Sequence, residues 1–273
     1  MKNARYLFSN WESIKKTIGN RFIYLFLDYD GTLSPLSQVP GKAIMSERVK
    51  EVLSKLSNMS NCKIAIVSGR AVNDISKRVG LKKIVYVGNH GFEIRGPKIN
   101  FKSPISRRFR NILEEIISKL KKNLLSFKGV LIEDKGFSIT VHYRLADKKD
   151  IAAIESEFYA SLFLYEFRNN VQIKAGKMAL EVRPPIPWNK GLVVLWLLGR
   201  RLFAMRDKKE NVIPIYVGDD ITDEDAFESL IDKGITIFVG SPKNTKARFY
   251  LKDTGEVTKF LELILNNRNS GSI

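Results

Sequence analysis

The sequence predicts an α/β protein, a doubly wound parallel sheet with a smaller α+β unit set into it. Three observations predict it. Short apolar, β-branched runs alternate with segments of helical periodicity toward both ends of the chain. Each of those runs stops at a turn rich in Gly, Ser or Asp. Between residues 104 and 184 the alternation gives way to helix, hairpin, helix, hairpin.

Residues 22–27 are apolar throughout and read as a buried strand. Residues 46–56 are amphipathic and read as a helix capped by Ser46, with Arg48, Lys50 and Glu51 facing outward. A second strand, 63–67, runs into Ser68-Gly69-Arg70, and a helix over 72–79 follows with Asn73 or Asp74 in its first turn. A third strand, 84–87, ends in Gly88-Asn89-His90-Gly91. In the middle, 107–122 and 150–163 carry helical spacing. Segments 130–133 and 137–143 pair around Asp134-Lys135-Gly136, and 171–174 and 178–182 pair around Ala175-Gly176-Lys177. A helical run over 191–201 follows. Strands 213–217 and 235–239 then end in Gly218-Asp219-Asp220 and Gly240-Ser241-Pro242, and residues 266–273 read as frayed. The expected organisation is a first core part, 1–103, an α+β cap, 104–184, and a second core part, 185–273. Pro104 and Pro184-Pro185 stand at the joints.

At 273 residues with 44% hydrophobic content the chain can bury a sizeable core. No apolar run reaches membrane-spanning length, since Arg200 and Arg201 interrupt the longest, and the mixed N-terminus lacks the core of a secretory signal. One cysteine, Cys62, forms no internal disulfide, which agrees with a reducing, cytoplasmic setting. The net charge of +17 suits either a nucleic acid or a phosphorylated metabolite. The basic residues are scattered, with no basic tail and no zinc-finger or aromatic RNA-binding motif among them. Nucleic-acid binding is therefore disfavoured as a main function.

In an open parallel sheet, ligands bind beyond the carboxyl ends of the strands. Asp28, Asp30, Ser68, Asp219 and Asp220 all sit at such ends. Asp28 and Asp30 close the first strand and run into Gly31-Thr32. A carboxylate attacks a phosphate ester only if a cation offsets the repulsion between them, and Mg²⁺ prefers hard oxygen ligands. Asp28 suits the nucleophile and Asp30 the acid and base for the leaving oxygen and the attacking water. Asp-x-Asp alone describes many ordinary turns; the apolar strand before it and Gly-Thr after it make the pattern specific. The Ser68 hydroxyl and the backbone about Gly69 suit a phosphate oxygen at a strand-to-helix turn. Arg70 either binds substrate or pairs with a structural carboxylate. Lys190 opens a helical run, where an ammonium near Asp28 would hold the nucleophile ionised. Five carboxylates crowd residues 219–225. Asp219 is the first candidate metal ligand and Asp220 or Asp223 the next, while Glu224 and Asp225 read as solvent-facing. Glu133 with Lys135, and Glu181 with Arg183, are either ion pairs or ligand contacts. His90 and His142 are the only histidines; both suit hydrogen-bonded structural roles, and His90 is also a candidate to line the site.

In chain order, Asp28-Tyr29-Asp30-Gly31-Thr32, Val67-Ser68-Gly69-Arg70, Lys190-Gly191 and Gly218-Asp219-Asp220 with Thr222-Asp223-Glu224 resemble the four motifs of haloacid dehalogenase superfamily phosphatases. Gly88-Asn89-His90-Gly91, Glu133 and Lys135 followed by His142-Tyr143-Arg144, and Glu181-Val182-Arg183-Pro184 narrow the likeness to the trehalose-6-phosphate phosphatases. Asn89 departs from them, standing where that family often has a serine. The resemblance implies a Rossmann-like core and a cap inserted between the second and third motifs. It implies Mg²⁺-dependent hydrolysis of trehalose 6-phosphate to trehalose and phosphate through an aspartyl-phosphate, the last step of trehalose biosynthesis. On that basis Asp28 is the nucleophile and Asp30 the acid and base, while Ser68, Gly69 and Lys190 hold the phosphoryl group. Asp28, the Asp30 carbonyl and Asp219 hold the metal, with Asp220, directly or through water, the further ligand that the acidic cluster suggests. Arg70, His90, Glu133, Lys135 and Glu181 contact the sugar phosphate. No glycosyltransferase segment is seen, so a separate trehalose-6-phosphate synthase is the expected pathway partner. A related phosphatase acting on another glycosyl or sugar phosphate shares the core motifs, because these see only phosphate.

Overall fold

The computed structural model describes residues 4–36, 43–103, 106–176, 178–186, 188–205 and 212–269. The chain divides into two compact units, Met1–Phe101 with Trp188–Ile273, and Lys102–Pro187. The first part of the larger unit runs β1 (Arg5–Tyr6), α1 (Trp11–Ile18), β2 (Phe22–Leu27), α2 (Glu47–Asn58), β3 (Cys62–Val67), α3 (Val72–Val79), β4 (Val85–Gly88), β5 (Glu93–Gly96) and β6 (Ile99–Lys102). The smaller unit follows with α4 (Arg107–Leu124), β7 (Leu131–Asp134), β8 (Ile139–His142), α5 (Ile151–Phe167), β9 (Gln172–Gly176) and β10 (Ala179–Arg183). The chain then returns through α6 (Lys190–Met205), β11 (Val212–Gly218), α7 (Glu224–Ser229), β12 (Ile235–Val239), β13 (Phe249–Leu251) and α8 (Thr254–Asn269).

The larger unit is built on one sheet of order β1-β13-β12-β11-β2-β3-β4-β5-β6. Its neighbours from β1 to β4 pair in parallel, and β5 turns back antiparallel on β4. All six residues of β2 are buried, as a central strand covered on both faces requires. Ile23, Leu25 and Leu27 join one apolar layer with Val52, Leu53 and Leu56 of α2 and Phe260 and Ile264 of α8. Tyr24 and Phe26 join the other with Val193, Val194 and Leu197 of α6 and Phe227 of α7. Side chains that alternate between two covered faces make the doubly wound arrangement that the continuous apolar run predicts.

Local signals hold at the helix ends. The Ser46 hydroxyl accepts from the Val49 N–H at 3.3 Å and caps α2. Gly80, at φ +69°, ends α3 in the left-handed conformation that stops helices. The smaller unit is a four-stranded antiparallel sheet, β7-β8-β10-β9, so its two hairpins join through β8 and β10. One face packs on α4 and α5 through Leu113, Ile116 and Leu120, Ile154 and Phe158, and the sheet residues Ile139, Val141, Leu180 and Val182.

The C-terminal segment expected to fray is helical through Asn269. Arg268 is the reason: its guanidinium is buried and donates to the Gly19 carbonyl at 2.9 Å and the Arg21 carbonyl at 2.5 Å, tying α8 to the end of α1. Residues 270–273, Pro104 and Lys177 lie outside the described residues. No described helix is long and apolar enough to cross a membrane.

Candidate active site

Three adjacent parallel strands, β11, β2 and β3, finish at one edge of the larger sheet. The amide of Asp28 donates to the Val217 carbonyl at 2.9 Å, so the first carboxylate sits on the ladder of the central strand itself. Beyond it the chain turns at Gly31, whose φ of +86° and contact with Asp219 both exclude a side chain. A Cβ there would lie 2.2 Å from the Asp219 Oδ2. Thr32, on the same turn, donates to the Asp219 Oδ1 at 3.4 Å.

Asp28, Asp219 and Asp223 are all buried and each offers a carboxylate oxygen within 4.8 Å of the others. Lys190, the first residue of α6, reaches into this group. Its Nζ lies 2.8 Å from the Asp28 Oδ1 and 2.7 Å from the Asp223 Oδ1. Burial works to lower the Lys190 pKa, but Asp223 and Asp28 outweigh it and hold the ammonium charged. Burial pushes the Asp28 carboxyl well up; Lys190 works against that rise, and Asp223 and Asp219 add to it. Three carboxylates and one ammonium leave two negative charges uncompensated in a buried place, which suits a divalent cation. The donor set is of hard oxygens, as such an ion requires. The residues present therefore fit a metal such as Mg²⁺.

Asp223 differs from its two neighbours. Its Oδ1 accepts from Lys190 and from the Tyr216 hydroxyl at 2.7 Å, and its Oδ2 accepts from the backbone N–H groups of Asp219 and Asp220 at 3.1 and 2.9 Å. Four donors occupy its oxygens, so it fixes the loop and Lys190 beside Asp28 and Asp219. Asp220 lies outside the carboxylate group. Its Oδ1 accepts from the Ile221 N–H at 2.7 Å and caps the turn that leads into α7. Glu224 does not simply face solvent: it accepts from the Thr245 hydroxyl and the Lys246 amide, both at 2.7 Å.

The Asp30 carboxylate points to Arg70. The guanidinium holds both Asp30 oxygens at 2.6 Å and reaches Asp74 at 3.0 Å, the ion-pairing alternative left open by the sequence. Ser68, buried at the end of β3, accepts from the Arg70 N–H at 3.1 Å. Gly69 lies against the ring of buried His90, and a Cβ there would meet its Nε2 at 2.4 Å. Asn89 donates to Glu93 at 2.9 Å.

Glu133, Lys135 and Glu181 belong to the smaller unit, on the sheet face opposite α4 and α5. Register puts Glu133 and Glu181 on either side of Thr140, one on β7 and the other on β10. Glu133 pairs with His142 at 2.9 Å and lies 3.9 Å from the Lys135 ammonium. Glu181 is buried; it accepts from Ser138 at 2.7 Å and from the Arg183 Nε at 2.9 Å. Sequence reasoning did not identify Tyr216, Thr32 or the central place of Asp223. Asp223 was one acid among five, and Tyr216 is an ordinary strand residue until the turn after Gly218 brings Asp223 back over it.

The sequence model of the family described as Trehalose-phosphatase matches residues 26–255. The chain is 34% identical over 279 residues to the probable trehalose-phosphate phosphatase 3 of Oryza sativa, covering 96% of this chain and 74% of that protein. It is 32% identical over 269 residues to trehalose-phosphate phosphatase B of Arabidopsis thaliana, covering 93% and 69%. Among solved structures, the C-terminal domain of the C. albicans trehalose-6-phosphate phosphatase superposes with a TM-score of 0.80 at 26% identity, over 97% of this chain and 98% of that one.

Proposed function

Because the chain belongs to the trehalose-phosphatase family, we propose that this phosphatase hydrolyses trehalose 6-phosphate through a phosphoryl group carried on Asp28. The observation that carries the reading is the buried contact of Lys190 with Asp28, beside Asp219 and at the carboxyl end of the central strand. It supplies a nucleophile, its counter-charge and an adjacent metal ligand in one place.

Asp28 attacks phosphorus, and the bond from phosphorus to the sugar oxygen breaks. Asp30 gives its proton to that oxygen, and trehalose leaves. Asp30 then takes a proton from water, the water oxygen attacks phosphorus, and the bond to Asp28 breaks to release phosphate, with Asp30 protonated again. Arg70 occupies both Asp30 oxygens through a two-pronged, charge-assisted contact. Proton delivery therefore requires that fork to open on one oxygen. Lys190 keeps its charge through both steps and offsets that of the phosphoryl group. Asp28, Asp219 and the Asp30 carbonyl would hold Mg²⁺, which when bound neutralises phosphate charge as the carboxylate approaches. Ser68 and Gly69 complete the phosphoryl seat. Glu133, Lys135 and Glu181 read the sugar hydroxyls, with His90 and Arg70 nearer the phosphate. Asp220 contributes by shaping the metal loop. The trehalose 6-phosphate itself comes from a separate synthase.

Release of phosphate from a panel of sugar phosphates tests the substrate. Strong preference for trehalose 6-phosphate is expected, and equal turnover across the panel would reject it. Beryllium fluoride, a phosphoryl mimic, is expected on the Asp28 carboxylate; capture on any other residue would reject the nucleophile.

A further inference from the structure

A second charged cluster lies at the opposite end of the same strands. Tyr24 and Lys63 are register partners near the starts of β2 and β3, on the sheet face that α6 covers. Arg200 and Arg201, in the second half of α6, come down beside them. The Lys63 ammonium lies 5.5 Å from the Tyr24 ring centre, the Arg201 guanidinium 3.9 Å from that of Phe22, and the Arg200 guanidinium 5.1 Å from that of Trp196. Burial lowers the Lys63 pKa, and Arg201 and Arg200 lower it further, so the three cations feel one another. None of the three makes an ion pair with a carboxylate among the described residues.

Two buried polar atoms in this place also lack a hydrogen-bond partner, the Tyr24 hydroxyl and the Arg201 Nε. Tyr24 is fully buried, Lys63 and Arg201 are half-buried and Arg200 is exposed, so the cluster runs from the interior to the surface. Cation–π contacts offset part of the repulsion, but a ring supplies no negative charge and accepts nothing from a buried N–H in its plane. Unmatched like charges beside orphaned donors are costly unless a ligand completes them. Tyr24 precedes Asp28 by four strand residues, about 13 Å at ~3.3 Å each, so this place is separate from the carboxylate group.

We propose that Tyr24, Lys63, Arg200 and Arg201 form an anion site for a dianionic oxyanion, inorganic phosphate or a phosphate monoester. Three cations more than offset the two negative charges of such a group, and the phenol and guanidinium donate to its oxygens. The site is independent of the reading of Asp28 as nucleophile.

Crystals grown with tungstate, a dianion with strong anomalous scattering, are expected to show tungsten among Lys63, Arg200 and Arg201. Tungsten confined to the neighbourhood of Asp28 would overturn the proposal. In solution, phosphate added to the magnesium-free protein is expected to raise its melting temperature, since the uncompensated carboxylates repel phosphate from the other site. Lys63→Gln with Arg201→Gln should at least halve that rise while turnover stays within twofold. Tyr24→Phe is the milder variant if that pair fails to fold. It should weaken phosphate binding by about tenfold and raise the melting temperature in phosphate-free buffer, because it removes an orphaned hydroxyl. An unchanged phosphate response in Tyr24→Phe would overturn the assignment. A parallel titration with an alkyl phosphonate separates the sources. Binding equal to phosphate marks a phosphorylated metabolite, and binding of phosphate alone marks the reaction product.

Discussion

Lys190 decides much about single residues here, because two buried carboxylates share its one charge. Replacing it by Ala leaves Asp28 and Asp223 facing each other without compensation. Breaking a buried pair in this way costs about 3–5 kcal/mol. Lys190→Ala is therefore expected to lose both turnover and stability, and urea unfolding would measure the second. Asp28→Asn should behave differently. Burial already works against the Asp28 charge, and an amide keeps an acceptor for Lys190, so stability should hold or rise. Turnover should fall by about a thousandfold or more, since an amide oxygen is a poor nucleophile. Normal activity in Asp28→Asn would end the assignment of the nucleophile. At this scale the sequence was most legible where chemistry depends on neighbours in the chain. Asp28, Asp30 and Gly31 form one local device. Asp223 was not legible as a hub, because its partners Lys190 and Tyr216 are brought to it only by the packing of α6 and β11.

Among the elements, α3 is held by a charge relay. Asp74 lies in its first turn and accepts from Arg78 of the next turn and from Arg70 of the preceding loop. Burial tends to raise the Asp74 carboxyl, but the hydrogen bonds from Arg78 and Arg70 outweigh it and hold its pKa below the ordinary value. A depressed carboxyl stabilises the fold above its unfolded-state pKa, and that contribution is lost as pH falls through the folded one. Asp74→Asn should therefore lower the melting temperature near neutral pH and flatten its decline below about pH 4. An identical acid profile in the two proteins would contradict the relay. Elements with an unbroken pattern were legible: α3 spans Val72–Val79 and β12 spans Ile235–Val239, as spacing alone predicts. The short edge pieces were not. Arg5–Tyr6 and Phe249–Leu251 are strands only because each finds an edge to pair with, which no local signal encodes.

For the molecule as a whole, the two units separate two tasks under the proposed function. The larger carries the phosphate chemistry and the smaller the sugar contacts. Glu181→Gln is therefore expected to raise KM for trehalose 6-phosphate by about tenfold or more while leaving hydrolysis of a small aryl phosphate nearly unchanged. Equal losses on both substrates would place Glu181 in structural support alone. The charge excess in the larger unit gives a second whole-chain expectation. Mg²⁺ should raise its melting temperature, by about 2.7 kcal/mol of added stability at a hundred times the dissociation constant, and EDTA should abolish both that gain and turnover. Full activity after chelation would remove the metal from the proposal.

One detail of the central strand bears on how such a catalyst can change. The Asp28 amide closes a rung to Val217, and every residue before it on β2 is enclosed. Under the proposed function, the attacking oxygen thus stands at the end of a plank clasped on both faces, with no hinge of its own. Natural variation in speed among proteins built this way has little room to act by shifting that seat. It must act through the visitors: how readily Arg70 lets go of Asp30, and how the second unit grips what it is offered.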